Sequence, residues 1–163
     1  MYLHMDNRQF RDTMGKFATG ITIVSIDYKD EMLGMTVNAF MSVSLEPKLI
    51  AISIDENARL YTKLQETKQF GISILREEQK EISMIFAKQM EKDREIPFVK
   101  QSGVPVIDGS VATLSCQVKD TAKAGDHMIF IAEVTEIKAD GGDPILFYGE
   151  TTGQLTRNKE GIC

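Results

Sequence analysis

The fold turns on the stretch GMTVNAFMSVSLEPKLIAISID, Gly34 to Asp55. Its last third, KLIAISI (48–54), is a buried strand, rich in β-branched and apolar residues. The middle is different, because Thr36, Asn38, Ala39, Ser42 and Ser44 interrupt a run that would otherwise be apolar. Two readings account for this. Either these residues form the solvated rim of an antiparallel β-barrel, or a flat polar group lies against them.

Working outward, ITIVSID (21–27) and Met32–Phe40 read as strands joined by the polar turn Tyr28–Glu31, and Pro47 closes the polar segment. QFGISIL (69–75), VATLSCQVK (111–119), MIFIAEVTEIK (128–138) and ILFY (145–148) are further strands. AGDH (124–127) turns the middle two into a hairpin, and DGGDP (140–144) makes the next turn. Three helices are expected. The first starts at an Asp6/Gln9 capping pair, carries Phe10, Met14 and Phe17 on one face and stops at Gly20. The second begins in DENARL (55–60), with Asp55 or Asn57 as cap and Leu60, Tyr61 and Leu64 inward. The third runs from Glu77 with Ile82, Ile85, Phe86 and Met90 in phase. Residues 91–110 read as irregular, punctuated by Pro97, Gly103, Pro105 and Gly109, and the polar tail reads as loosely held. Six or seven strands that do not alternate regularly with helices disfavour a doubly wound parallel sheet. The fold class expected is mainly β, an antiparallel barrel with peripheral helices.

At 163 residues the chain is long enough for one domain with a sizeable core, here residues 6–149 with 150–163 as tail. A net charge of −5 argues against a general nucleic-acid or acidic-membrane surface, which needs a basic face. No apolar run approaches the roughly 18 residues of a membrane span, and MYLHMDNRQF lacks the basic-then-apolar order of a signal peptide. Cys116 and Cys163 form no CxxC, and with only two histidines they make no metal-ligand spacing. The expectation is a reduced, soluble, cytoplasmic protein without a metal site.

No GxGxxG, GxxxxGK[ST] or GxSxG is present, and Cys116 sits mid-strand as a packing residue. So thin an acid–base inventory points to chemistry supplied by an organic cofactor. Three segments stand out. Thr36, Asn38, Ala39 and Ser42 can offer hydrogen bonds to a heteroaromatic edge. DENAR presents helix-start N–H groups beside Arg59, a combination suited to phosphate. Gly125-Asp126-His127 places a histidine beside an aspartate at a hairpin turn. Each segment also has a plain structural reading: a solvated rim, an ordinary helix cap and a solvated turn. His4 is given no role.

FRDTMGKFATGITIVS, GMTVNAFMSVSLEPKL, FGISIL followed by Gln79, Ser83 and Phe86, then SCQV, AGDH and PILFY occur in this order over residues 6–149. Together they resemble the short-chain flavin reductases of two-component flavin-dependent monooxygenases, nearest to the reductase components of phenol 2-hydroxylase and 4-hydroxyphenylacetate hydroxylase. The resemblance implies a flavin-reductase-like split β-barrel that forms a homodimer. It puts Thr36, Val37, Asn38, Ala39 and Phe40 against the isoalloxazine ring, with Ser42 and Val43 nearby. It puts Ser53, Asn57, Ala58 and Arg59 at the ribityl-phosphate end, and Phe86, Ala87 and Lys88 along the rest of the flavin. His127 matches the family's GDH motif and falls on the nicotinamide side. The implied reaction is hydride transfer from NADH to a free flavin, FAD rather than FMN by likeness, by positioning and without a catalytic acid or base. The reduced flavin then passes to a separate monooxygenase acting on an aromatic compound. One segment departs from the pattern. After PILFY the relatives carry a glycine, a tyrosine and often a histidine that help hold the dinucleotide, whereas this chain reads GETTGQL (149–155). Two alternatives stay open: an oxidoreductase using another acceptor, such as a quinone or ferric complex, and a flavin-binding protein without turnover.

Overall fold

Alternating apolar residues build most of this chain into strands, as a computed structural model describing residues 5–149 and 151–154 shows. In chain order the elements are α1 (Asn7–Met14), β1 (Thr22–Tyr28), β2 (Glu31–Val37), β3 (Phe40–Leu45), β4 (Lys48–Asp55), α2 (Arg59–Thr67) and β5 (Gln69–Ile74). A 3-10 turn (Glu77–Gln79) leads into α3 (Lys80–Phe86). Then follow β6 (Phe98–Gln101), β7 (Val104–Ile107), β8 (Ala112–Ala124), β9 (His127–Ala139), β10 (Leu146–Tyr148) and β11 (Thr151–Gly153).

Seven strands form one antiparallel sheet in the order β2-β1-β5-β8-β9-β4-β3. Its two edge strands, β2 and β3, are consecutive in sequence and joined only by Asn38 and Ala39. The sheet therefore begins and ends on the same short piece of chain, a seam that falls in the stretch whose polarity stood out. One sheet face carries the main core, with Val24, Ile26, Ile54, Phe70, Ile72 and Phe130 fully buried. Each contributes about 1.5–3 kcal/mol by leaving water. Leu60 and Leu64 of α2 close this core, in agreement with their expected inward face. A second cluster gathers Ile21, Ile23, Leu75, Ile107 and Ile145.

Six details differ from the sequence reading. The polar segment before Pro47 is a strand of its own, β3, pairing Phe40 with Ile52 and bulging between Ser42 and Ser44. Residues 98–107 are a tight hairpin, β6–β7, turned at Ser102 and Gly103, both at positive φ. Two strands of four residues, one of them containing a proline, are too short to show a period. Helix α1 ends at Met14 and is capped by Gly15, not Gly20. Helix α3 stops at Phe86, before Met90, and α2 has Ala58 as N-cap, because the Asp55 carboxylate accepts from the Asn57 N–H at 2.8 Å one turn earlier. The start of the tail is also ordered, with β11 pairing on β10.

The β6–β7 hairpin lies across β1 and β5, and buried serines satisfy its backbone. Ser25 Oγ donates to the Pro105 carbonyl at 2.6 Å, Ile107 N–H donates to Ser73 Oγ at 2.8 Å, and Ser115 Oγ donates to the Gln101 carbonyl at 2.9 Å. Ser25→Ala leaves the Pro105 carbonyl buried without that partner, a loss of about 1–3 kcal/mol. Urea denaturation reads it as a lower midpoint at unchanged slope, and an unmoved midpoint would rule the bond out as a stabiliser.

Candidate active site

The seam forms the back of a cleft about 1140 Å³ in volume. Asn38, Ala39, Phe40 and Met41 enter from the seam and β3, and Ala51 and Ser53 from β4. Ser53 lies directly opposite Ile129 of β9, which also lines the cleft, and the Ser53 N–H donates to the Ala39 carbonyl at 3.2 Å. Three neighbouring strands thus fix the floor and its register. Volume and lining suit a flat ring of cofactor size, since such sites are mostly apolar with a few placed polar groups. On the floor Asn38 and Ser53 are the polar side chains, Arg11, Asp12, Lys16 and Thr19 line the rest of the cleft, and Phe40 and Phe147 supply aromatic surface.

The opposite wall is α1 and the turn after it. Asp6 caps this helix by accepting from the Gln9 N–H at 2.7 Å. The expected stripe of Phe10, Met14 and Phe17 exists, but it does not enter the core. No residue of α1 is buried, and these three are 50%, 53% and 80% exposed. Instead they line the cleft with Arg11 and Lys16. The wall is pinned from behind, with Gly149 N–H donating to the Gly15 carbonyl at 2.8 Å and Thr19 and Phe147 exchanging backbone bonds at 2.9 and 2.8 Å. The α1 residues, Ile129 and Phe147 were not among the sequence candidates. The helical period of Phe10, Met14 and Phe17 was the signal that could have found part of this wall.

Most of the sequence candidates fall into three places. Asn38, Ala39, Phe40 and Ser53 come together in the cleft. A second group sits where β4 meets the β8–β9 turn. Asp55 pairs with His127, Asn57 and Ala58 lead into α2, and Arg59 lies 3.9 Å from Glu31. His127 Nδ1 is 2.8 Å from Asp126 Oδ1, and this contact holds the Asp126 carboxyl below the usual carboxylate range. The third group lies between β2 and α3. Thr36 Oγ1 donates to the Ser83 carbonyl at 2.7 Å, and the Phe86 ring packs over Gly34 and within 5.9 Å of Phe98. Ala87 and Lys88 follow on the surface. Val37 is buried in the main core and Ser42 and Val43 are exposed on the edge strand, so none of these three lines the cleft. In GETTGQL, Glu150 and Leu155 lie outside the described residues, and Thr151–Gly153 form β11.

Cys116 is not a nucleophile in this arrangement. It belongs to the core, and burial pushes its thiol up to about 12. A thiol kept neutral by folding, but free to ionise near its ordinary ~8.5 once unfolded, stabilises fully below that pH and progressively less above it. Unfolding free energy should therefore fall by about 1.4 kcal/mol per pH unit more in the parent than in Cys116→Val between roughly pH 9 and 11. Parallel pH profiles for the two would show that the thiol carries no such linkage.

A family model described as "Flavin reductase like domain" matches residues 14–156, taking in the seam, β4, the β8–β9 turn and the β10–β11 hairpin. The chain belongs to the flavin reductase-like domain family. Among curated proteins it is 40% identical over 141 residues to an NADH-dependent flavin reductase of Rhodococcus, covering 85% of this chain and 80% of that one. It is 36% identical over 149 residues to the NADH-dependent flavin reductase StyB of Pseudomonas fluorescens, covering 88% and 87%. Among solved structures, flavin reductase PheA2 superposes with a TM-score of 0.92 at 47% identity, covering 94% of this chain and all of that one. The NADH:FAD oxidoreductase SgcE6 of Streptomyces globisporus, solved with NAD and FAD fragments, gives 0.88 at 31%, covering 95% and 96%. These likenesses bear out the mainly antiparallel β fold of the flavin reductases.

Proposed function

We propose that this reductase-family chain transfers a hydride from NADH to a flavin and releases the reduced flavin to a separate monooxygenase. The observation that carries the reading is the cleft behind Asn38–Ala39. Its floor is mostly apolar, with Asn38 and Ser53 as the polar side chains and no general acid or base, in a chain that belongs to the family. A bound flavin supplies the two-electron acceptor. The chain's part is to position: the seam and β4 hold one ring, and the α1 wall keeps water from the other side. Ser53 lies at the start of a path toward Asn57, Ala58 and Arg59, where the α2 N-terminus has no side-chain cap and its N–H groups suit a phosphate. His127, oriented by Asp126, takes the nicotinamide side. FAD is the flavin proposed, with FMN as a further acceptor.

The partner reading rests on relatives named as reductase components, such as the reductase subunit HsaB of a flavin-dependent monooxygenase in Mycobacterium tuberculosis, 32% identical over 159 residues. A homodimer is part of the proposal. Met41, Val43 and Leu45 on edge strand β3 are 60%, 46% and 87% exposed, and an apolar edge strand of this kind needs a cover. Light scattering should give twice 18.3 kDa, and Leu45→Lys should shift it toward one copy. No described helix is long and apolar enough to cross a membrane, and the proposed setting is the cytoplasm.

The deciding experiment is anaerobic mixing of catalytic protein with NADH and excess FAD. Bleaching of the flavin's visible band at a rate set by protein concentration supports the reductase. Flavin binding without bleaching by NADH or NADPH identifies a binder instead, and turnover with a quinone in the absence of flavin identifies another oxidoreductase.

A further inference from the structure

The cleft has an apolar floor but two cations on one rim, Arg11 and Lys16. Among the described residues neither has a carboxylate within ion-pair distance, and Asp12, on the same wall, faces Arg8 at 3.9 Å. Lys16 Nζ instead stands 5.7 Å from the centre of the Tyr148 ring. Asp126, held low chiefly by His127, also feels the Arg11 charge. Both cations sit on chain fixed to the β10–β11 hairpin through Gly15 and Gly149, so their position is set by backbone bonds. In a chain with a net charge of −5, two cations without an ion-pair partner among the described residues raise the local positive field over an apolar slot for an incoming anion. The matching ligand has a flat ring for the floor and phosphate for the rim.

Resting on the reductase reading, we infer that Arg11 and Lys16 clamp the pyrophosphate of NADH at the mouth of the cleft. The donor is favoured over the flavin because Arg11 and Lys16 stand on the α1 wall, opposite the floor where the flavin ring is proposed to lie, whereas the flavin phosphate has its own place at the α2 start. This clamp supplies dinucleotide grip that the aromatic-poor GETTGQL segment does not.

The test compares the full-length parent with Arg11→Ala, Lys16→Ala, the double variant and Arg11→Lys. Each is assayed with NADH and with the phosphate-free donor 1-benzyl-1,4-dihydronicotinamide, and with FAD and riboflavin as acceptors. The double variant should lose at least about tenfold in kcat/KM for NADH relative to the benzyl donor, through KM, with Arg11→Lys partly restoring it. The NADH KM should rise with salt in the parent and much less in the double variant. Titration calorimetry with NAD+ reads the same clamp without turnover and should show the same loss. Equal losses on both donors, or a loss that separates FAD from riboflavin instead, would overturn the assignment. A parent that binds NAD+ by this rim yet reduces no flavin would defeat the reductase reading and leave the clamp standing.

Discussion

Gly71→Ala is expected to remove most of the stability of the fold. A Cβ at this position of β5 would lie 2.1 Å from the Pro105 carbonyl oxygen and 2.7 Å from Val106 Cγ1. The first obstacle is backbone, so no rotamer change relieves it. Nor can β5 retreat, because Gly71 is paired with Ser25 of β1 on one side and Ser115 of β8 on the other. The β6–β7 hairpin would have to lift, breaking the Ser25 and Ser73 bonds to its backbone. Overpacking with loss of two buried hydrogen bonds reaches about 4 kcal/mol or more, a large part of the roughly 5–15 kcal/mol of a typical domain. The variant should express as insoluble protein or melt well below the parent. A soluble Gly71→Ala within about 1 kcal/mol of the parent in denaturant would show that the hairpin is not held as described. Gly34→Ala makes a useful contrast. Its new Cβ would meet the Phe86 ring at 2.7 Å, a side chain that can move with α3, so a smaller loss is expected.

Ala39→Phe should abolish flavin binding and leave the fold intact. Ala39 sits in the two-residue seam, lines the cleft and is exposed, so a larger side chain has solvent in which to stand. A benzyl group there occupies the floor where the ring is proposed to lie. Flavin fluorescence titration should give a dissociation constant raised at least about 100-fold, near 2.7 kcal/mol, with a melting temperature within a few degrees of the parent. Unchanged flavin affinity in a folded Ala39→Phe protein would move the ring out of this cleft.

Much of this could be read in advance where a single period dominates. KLIAISI and QFGISIL became β4 and β5, and Leu60 and Leu64 faced inward because their spacing allows one helical face. The seam was visible because polar residues inside a strand-like run demand an explanation. What periodicity cannot give is the identity of the neighbour. Phe10, Met14 and Phe17 share a face of α1, but nothing in their spacing says that the face meets a cleft rather than a core. Val37 and Asn38 show the same limit where β2 ends, since the first side chain enters the core and the next reaches the cleft. Arg11 and Lys16 gave no signal at all, because a missing partner is a property of three-dimensional surroundings.

The strand order also governs how quickly the chain can assemble. The β8–β9 hairpin is local in sequence, yet it occupies the middle of the sheet, with β5 docking on β8 and β4 on β9. Those two dockings join distant residues, Ile52 with Phe130 and Phe70 with Cys116, so each waits on a large loop closure. A hairpin of two thirteen-residue strands is then the natural template on which the rest condenses, and the seam, joining the two last-added edges, closes at the end. Pulse-labelled hydrogen exchange should protect the β8–β9 amides before those of β2 and β3, and the reverse order would dismiss this route. On that route the cleft behind the seam is expected to be completed last during folding and to loosen first when the fold is stressed.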